Sequence, residues 1–206
     1  MTQAERQSQS RRKILEAAMD EFGARDFDAV TMEAICAGHG ISKGMMYHYY
    51  TGKDELFLAC VGHVFQSLLK HVQHDAAALG KQAAFETIKN YFAIRECYFQ
   101  RHPKEKNIFE NALLRTPPHL FEKIEEIRGP IEALNRQFLH RTIGKIELRE
   151  NLKKENVSIY LEAMESVFWK LVEQYRREQR ISDVHSLMEA AGELWDMVLL
   201  GVVRQN

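Results

Sequence analysis

An all-α fold of about nine helices is what this sequence predicts, on three observations. Glycine and proline are sparse, at 11 and 4 in 206 residues. Apolar residues recur at steps of three and four almost throughout, the spacing of one helix face. No segment alternates apolar and polar residues as a half-buried strand would. With 45% hydrophobic residues, a chain of this size can hide roughly 70% of its unfolded surface. The expected division is three short helices over residues 1–53, then a larger helical domain over 54–206.

The first helix should run over about 10–24, with Ile14, Leu15, Ala18 and Phe22 on one stripe and Gly23 near its end. ARDFDAV then breaks the pattern. Thr31 is a good cap for a second helix, MEAICAG, because its hydroxyl can accept an unpaired backbone N–H. Gly38 and Gly40 close that helix, glycine tolerating the backbone that follows a helix end. Ser42 caps a short third helix over 43–50, which Thr51 and Gly52 interrupt. Thr51 is expected to cap the fourth, whose first turn holds Asp54 and Glu55 at the positive end of its dipole. Its buried face reads Leu56, Phe57, Cys60, Val64, Leu68 and Val72.

A long amphipathic helix follows over 81–101, then a shorter one opened by Pro103. TPPH at 116–119 restarts the chain, Pro130 should kink or divide the next helix, and Gly144 closes it. Two long helices, over 151–177 and 182–204, finish it. Leu161, Met164, Phe168, Leu171 and Tyr175 make an apolar stripe on the first of them. Leu187, Ala191, Leu194, Val198 and Val202 make one on the second, widened by Trp195 and Leu199. Two broad apolar faces at a chain end suit a symmetric four-helix dimer interface. The plain alternative is that both close the chain's own core.

Composition excludes several classes. Net charge is −1 with a pI of about 6.8, so any nucleic-acid surface has to be local. Three cysteines without a CxxC pair do not make a disulfide framework. The opening MTQAERQSQSRRK has no apolar core for a signal peptide, and no run approaches the roughly 20 apolar residues of a membrane span. A cytoplasmic protein with no membrane association is expected. No GxSxG, HExxH, P-loop or GxGxxG is present, and the carboxylates are spread along amphipathic faces. No enzyme activity, cofactor or metal is expected. Cys60, His63, His71 and His74 share a face of the fourth helix, but the outer two would lie about 21 Å apart, while a structural zinc wants four ligands together.

Residues 42–53, SKGMMYHYYTGK, hold two lysines, three tyrosines and no acid. A capped helix, a glycine turn and a second short helix form the layout of a helix-turn-helix, whose second helix offers its first residues to base edges. Here Lys43 can reach guanine O6 and N7, and Met45 a thymine methyl. Gly44 costs a helix about 1 kcal/mol against alanine, which makes sense if backbone must lie close to a base. Tyr47, one turn on, can donate to phosphate, with Lys53, Ser42 and Thr31 adding charge, hydroxyls or helix-terminal amides. Tyr50, Met46 and Ile35 should be core.

The stretch from Arg12 to Leu56 resembles the DNA-binding domain of the tetracycline-repressor (TetR) family of transcriptional regulators. The resemblance rests on Arg12, Ile14-Leu15, Ala17-Ala18, Phe22, Phe27, Thr31, Ile35, Gly40-Ile41-Ser42, Gly44, Tyr47, Tyr49, Lys53 and Leu56. Asp26, the Gly38-His39 pair and Tyr50 depart from the family's usual residues, at turn and packing positions. The resemblance implies base contacts from Lys43 and Gly44. It implies phosphate contacts from Thr31, Ser42, Tyr47, His48 or Tyr49, and Lys53; Tyr49 could equally be half core and His48 an idle surface residue. Residues 1–53 carry seven Lys/Arg and seven Asp/Glu, so the domain is not basic overall. An arm of Arg6, Arg11, Arg12 and Lys13 can add phosphate contacts or be ordinary solvated tail.

For the remainder, the resemblance implies an effector cavity among the middle helices and a homodimer on a palindromic double-stranded operator, most simply as a repressor. Phe92, Arg95, Phe99, Phe109, Asn135, Phe138 and Met164 are the candidate cavity residues, suiting an apolar or aromatic small molecule. The candidate interface is Leu161, Phe168, Leu171, Tyr175, Leu187, Leu194, Trp195, Val198 and Val202. The rival functions are an activator, or a ligand-binding helical protein that no longer binds DNA.

Overall fold

The computed structural model describes residues 2–79, 84–145, 150–178 and 180–202. Among them are α1 (Gln3–Ala24), α2 (Met32–His39), α3 (Lys43–Tyr49), α4 (Lys53–Ala77), α5 (Ala84–Arg101), α6 (Pro103–Leu113), α7 (Phe121–Ile143), α8 (Lys154–Arg177) and α9 (Val184–Val202). Two 3-10 turns, Phe27–Ala29 and Pro118–Leu120, precede α2 and α7. The described residues hold no strand, and the fold is all-α as expected. No described helix is long and apolar enough to cross a membrane.

Helix α1 starts well before residue 10. Thr2 and Glu5 form a capping box: the Glu5 amide donates to Thr2 Oγ1 at 3.2 Å, and the Thr2 amide to Glu5 Oε2 at 2.6 Å. Satisfying these orphan N–H groups adds two turns. Arg6, Arg11, Arg12 and Lys13 therefore sit on a helix, not on a tail. Thr51 does not cap α4; its amide and hydroxyl both donate to Glu55 Oε2, at 2.7 and 2.8 Å. Helix α7 runs unbroken through Pro130. The expected starts and ends at 81–83 and 203–204 lie outside the described residues.

The chain forms two compact units. Unit 1 is Met1–Ser67 with Phe99–Arg128, and unit 2 is Leu68–Tyr98 with Gly129–Asn206. Aromatic rings join the start of α4 to the rest of unit 1. Phe57 of α4 meets Phe22 and Phe27 edge-on at 5.0 and 4.9 Å. Burying each such ring stabilises by about 1.5–3 kcal/mol, which anchors the start of α4 against α1. Helix α6 packs along α1. A Cβ on Gly23 would come within 2.6 Å of Lys104 Cβ, so glycine permits that approach. Asn107 Nδ2 then donates to the carbonyls of Phe22 and Arg25, at 2.9 and 3.2 Å, at the end of α1.

In unit 2, α8 packs on α9. The core takes Ile88, Tyr91 and Ile94 from α5, Ile131 and Leu139 from α7, Val157 and Val172 from α8, and Leu187 and Ala191 from α9.

Candidate functional site

The end of α2 and the start of α3 fix the geometry of the turn between them. Thr31 Oγ1 accepts from the Ala34 amide at 3.1 Å. Gly40 ends α2 in the left-handed region, φ 60°, with its amide bonded to the Cys36 carbonyl; a side chain there would be strained. The Ile41 amide reaches the same carbonyl at 3.0 Å, and the Ile41 side chain is buried. Ser42 Oγ accepts from the Met45 amide at 3.1 Å. Each capping hydroxyl accepts with oxygen, leaving its own hydrogen to donate outward.

Met46 is fully buried and sets the rotation of α3. Lys43, Gly44 and Tyr47 are exposed as a result, and Met45 is half-buried. A Cβ added at Gly44 would meet nothing within 4 Å, so packing within the chain does not require glycine there. Tyr47 is 49% exposed. The His48 ring stands edge-on to Tyr49 at 4.8 Å, and the Arg11 guanidinium lies 5.8 Å from the Tyr49 ring centre. Tyr50 is half-buried, and burial pushes its phenol pKa up. The amide and hydroxyl bonds from Thr51 hold the exposed Glu55 carboxyl below its ordinary value.

Two details were not visible in the sequence. Lys43 Nζ lies 3.5 Å from Glu33 Oε1, with side-chain exposures of 67% and 59%. An exposed pair of this kind contributes about 0–1 kcal/mol, so Lys43 can leave it readily. No motif singles out Glu33, ten residues upstream. Lys53, expected at phosphate, turns inward: Nζ donates to the Phe27 carbonyl at 3.1 Å and sits 4.1 Å from that ring's centre. Lys13 Nζ donates to the Gly40 carbonyl at 3.3 Å, and Arg12 pairs with Glu16 at 2.7 Å.

Residues 14–60 match the model of the bacterial regulatory proteins, tetR family. The chain is 26% identical over 130 residues to the HTH-type transcriptional regulator RutR of Escherichia coli K12, a match covering 62% of this chain and 57% of RutR. It is 37% identical over 73 residues to the HTH-type transcriptional regulator BetI of Brucella suis, 35% of each protein. The fold is similar to that of SmeT, the repressor of the Stenotrophomonas maltophilia multidrug efflux pump SmeDEF, with a TM-score of 0.61 and 17% identity, covering 95% of this chain and 91% of SmeT. Residues 14–60 thus form a tetR-family segment, and the chain spans less than two thirds of the length of RutR and BetI.

Outside the tetR-family segment, the structure gathers only part of the expected cavity. Phe92, Arg95, Asn135 and Phe138 surround Tyr91 in unit 2. Phe99 and Phe109 pack on each other at 4.7 Å in unit 1, with Phe65 5.4 Å from Phe109. Met164 is half-buried on α8. Tyr91, which sequence reasoning passed over, is the centre of the unit 2 group. It stacks on Phe138 at 3.7 Å, and its hydroxyl donates to Asn135 Oδ1 at 2.9 Å.

On α9, much of the stripe expected at a dimer interface faces the chain's own core. Leu187, Leu194, Trp195 and Val198 are buried within unit 2, and Trp195 stacks on Phe92 at 5.8 Å. Atoms already removed from water gain little from a second copy. On α8, Phe168, Leu171 and Tyr175 are half-buried. Among the described side chains of α8 and α9, the large apolar ones left outside are Ile159, Tyr160 and Met197, at 66%, 42% and 62% exposure. The side chains of Leu161 and Val202 lie outside the described residues.

Cys60 is fully buried, and burial alone pushes its thiol pKa far up. His71 Nε2 lies 3.3 Å from Asp75, and His74 Nδ1 is 2.8 Å from the same carboxylate. Among the described residues no three His, Cys, Asp or Glu side chains gather as a metal site.

Proposed function

We propose that this chain is a ligand-responsive, DNA-binding transcriptional repressor of the tetR family, located in the cytoplasm. It binds a palindromic operator as a homodimer and is released or modulated by a small molecule. One observation carries the DNA-binding part: Lys43, Gly44 and Tyr47 stand exposed together on α3, on a helix end held by Ser42. In this reading Lys43, Gly44 and Met45 meet bases, and Thr31, Ser42, Tyr47, His48, Tyr49 and Lys53 hold phosphates. Lys43 exchanges Glu33 for guanine, and Lys53 has to leave Phe27 to reach a phosphate. The identity with RutR and BetI, both transcriptional regulators, supports the assignment.

Residues 1–53 are the reading domain and 54–206 the effector-binding and dimerising one. Two copies pair through α8 and α9, using the outward residues Ile159, Tyr160 and Met197. DNA binding requires recognition helices about 34–36 Å apart, one turn of duplex. An effector regulates by preferring one spacing over another, to the extent of its differential affinity.

The test is selection of bound duplexes from a random pool, with wild type and Lys43→Ala in parallel. Enrichment of a palindrome that the variant no longer enriches is the expected outcome. No enrichment by wild type at either low or moderate salt would reject DNA binding.

A further inference from the structure

Arg95 carries a positive charge into the interior of unit 2 without a carboxylate to meet it. It is 5% exposed. Its Nη1 donates to the Tyr91 carbonyl at 2.8 Å and its Nη2 to Asn135 Oδ1 at 2.6 Å. The remaining contacts are ring faces, Tyr91 at 4.7 Å and Phe92 at 5.0 Å from the guanidinium carbon. No described carboxylate lies within ion-pair distance of Arg95. The nearby acids do not pair with it, although Glu132 on α7, one turn before Asn135, and Asp196 on α9 each hold one carboxylate oxygen out of water. Glu96 is 2.8 Å from His185 Nδ1, and Asp196 is 3.4 Å from Lys89.

A guanidinium has five N–H donors, and two bonds use two of them here. A buried charge with neutral partners only is an expensive arrangement. Burial lowers the pKa of Arg95, yet a guanidinium stays charged in proteins. The Tyr91 phenol, itself pushed up by burial, is neutral near pH 7 and cannot balance it. Asn135 Oδ1 already accepts from both Tyr91 and Arg95. Two donors thus converge on the Asn135 amide oxygen, and a ligand carboxylate oxygen that displaced it would be met by both. Around them stand the flat faces of Phe92, Phe138 and Trp195.

We infer that the effector is an organic carboxylate with an apolar or aromatic body, its anionic head taken by Arg95 with Asn135 and Tyr91. This rests on the effector-binding role proposed for residues 54–206. The planar two-oxygen head matches the guanidinium fork, which a lysine would not reproduce.

The experiment is thermal unfolding of the full chain with matched pairs: benzoate and benzamide, 1-naphthoate and 1-naphthamide, decanoate and decanamide. The carboxylate of at least one pair should raise the wild-type midpoint by about 5–10 °C near a hundredfold excess over Kd, with its amide inactive. Arg95→Met should abolish the shift, and Arg95→Lys should weaken the affinity at least tenfold. Equal shifts from acid and amide, no shift from any carboxylate, an undiminished shift in Arg95→Met, or the same shift from inorganic phosphate would each overturn the inference. If Arg95→Met does not fold, the wild-type pairs and Arg95→Lys decide it. Duplex selection in the absence of these compounds separates the two failures. A palindrome without a carboxylate effect rejects this inference alone, and a carboxylate effect without DNA binding rejects the regulatory role alone.

Discussion

Replacing Gly44 with alanine should move stability and DNA affinity in opposite directions. The new Cβ finds no atom within 4 Å, and Gly44 lies inside α3 without a positive φ. Alanine is favoured over glycine by about 1 kcal/mol in a helix interior. Gly44 is only the second residue of α3, so about half of that, ~0.5 kcal/mol, is the reasonable gain. For a chain of this size it raises the unfolding midpoint by about 1–2 °C. On DNA the same methyl occupies space that the duplex needs. Overpacking costs about 1–3 kcal/mol, which is about 5- to 150-fold in Kd for each half-site. Thermal unfolding without DNA gives the first quantity, and fluorescence anisotropy on the selected duplex gives the second. A lower midpoint would mean glycine serves the fold. An unchanged affinity would mean no backbone–base approach occurs at residue 44.

Four further outcomes follow from the same geometry. Tyr47→Phe removes only an exposed hydroxyl; losing one bond to a charged phosphate should weaken DNA binding by about 1.5–3 kcal/mol with the unfolding midpoint unchanged, and an unaltered anisotropy titration would remove Tyr47 from the interface. Asn107→Ala strands the Phe22 and Arg25 carbonyls and should lower stability in urea by about 1–2 kcal/mol; a neutral result would show that water replaces the amide. Met197→Glu should convert dimer to monomer in sedimentation while leaving the fold intact, because the side chain is 62% exposed; a dimer that survives would rule out this face. His185 should titrate above the ordinary histidine value near 6.5, because it hydrogen-bonds Glu96 and lies near Glu189. Its contribution to stability is therefore present below that value and lost as pH rises through the raised one; an NMR titration midpoint that Glu96→Gln leaves unmoved would contradict the cause.

What could be read locally was legible. Thr31 and Ser42 cap the helices expected of them, Gly40 ends α2, and Met46 faces inward. Each depends on neighbours within a turn or two, which the sequence states directly. Contacts between distant residues were not. The donors that finish α1 come from Asn107, 85 residues beyond Phe22, and no local spacing announces such a partner. Lys53 teaches a related point. Its charge and position suggested phosphate, but a flexible four-carbon stem also lets the ammonium rest on Phe27. Sequence specifies that a lysine has reach, not which way it turns.

Helix α9 shows how far an apolar stripe can be trusted. Periodicity reports that a face is buried, and says nothing of what buries it. Leu187, Leu194, Trp195 and Val198 do form one face, and the chain's own core takes all of it. Met197 lies between Trp195 and Val198 in sequence yet stays 62% exposed, since neighbouring residues on a helix differ by about 100°. An interface between two copies therefore has to be built from α9's other side and from the Ile159 and Tyr160 end of α8. Among the described side chains, that surface has fewer large apolar groups than the core stripe. A tight dimer then needs contributions from the half-buried Phe168, Leu171 and Tyr175, so truncating these on α8 should weaken association more than truncating Leu194, whose loss falls on the stability of the single chain.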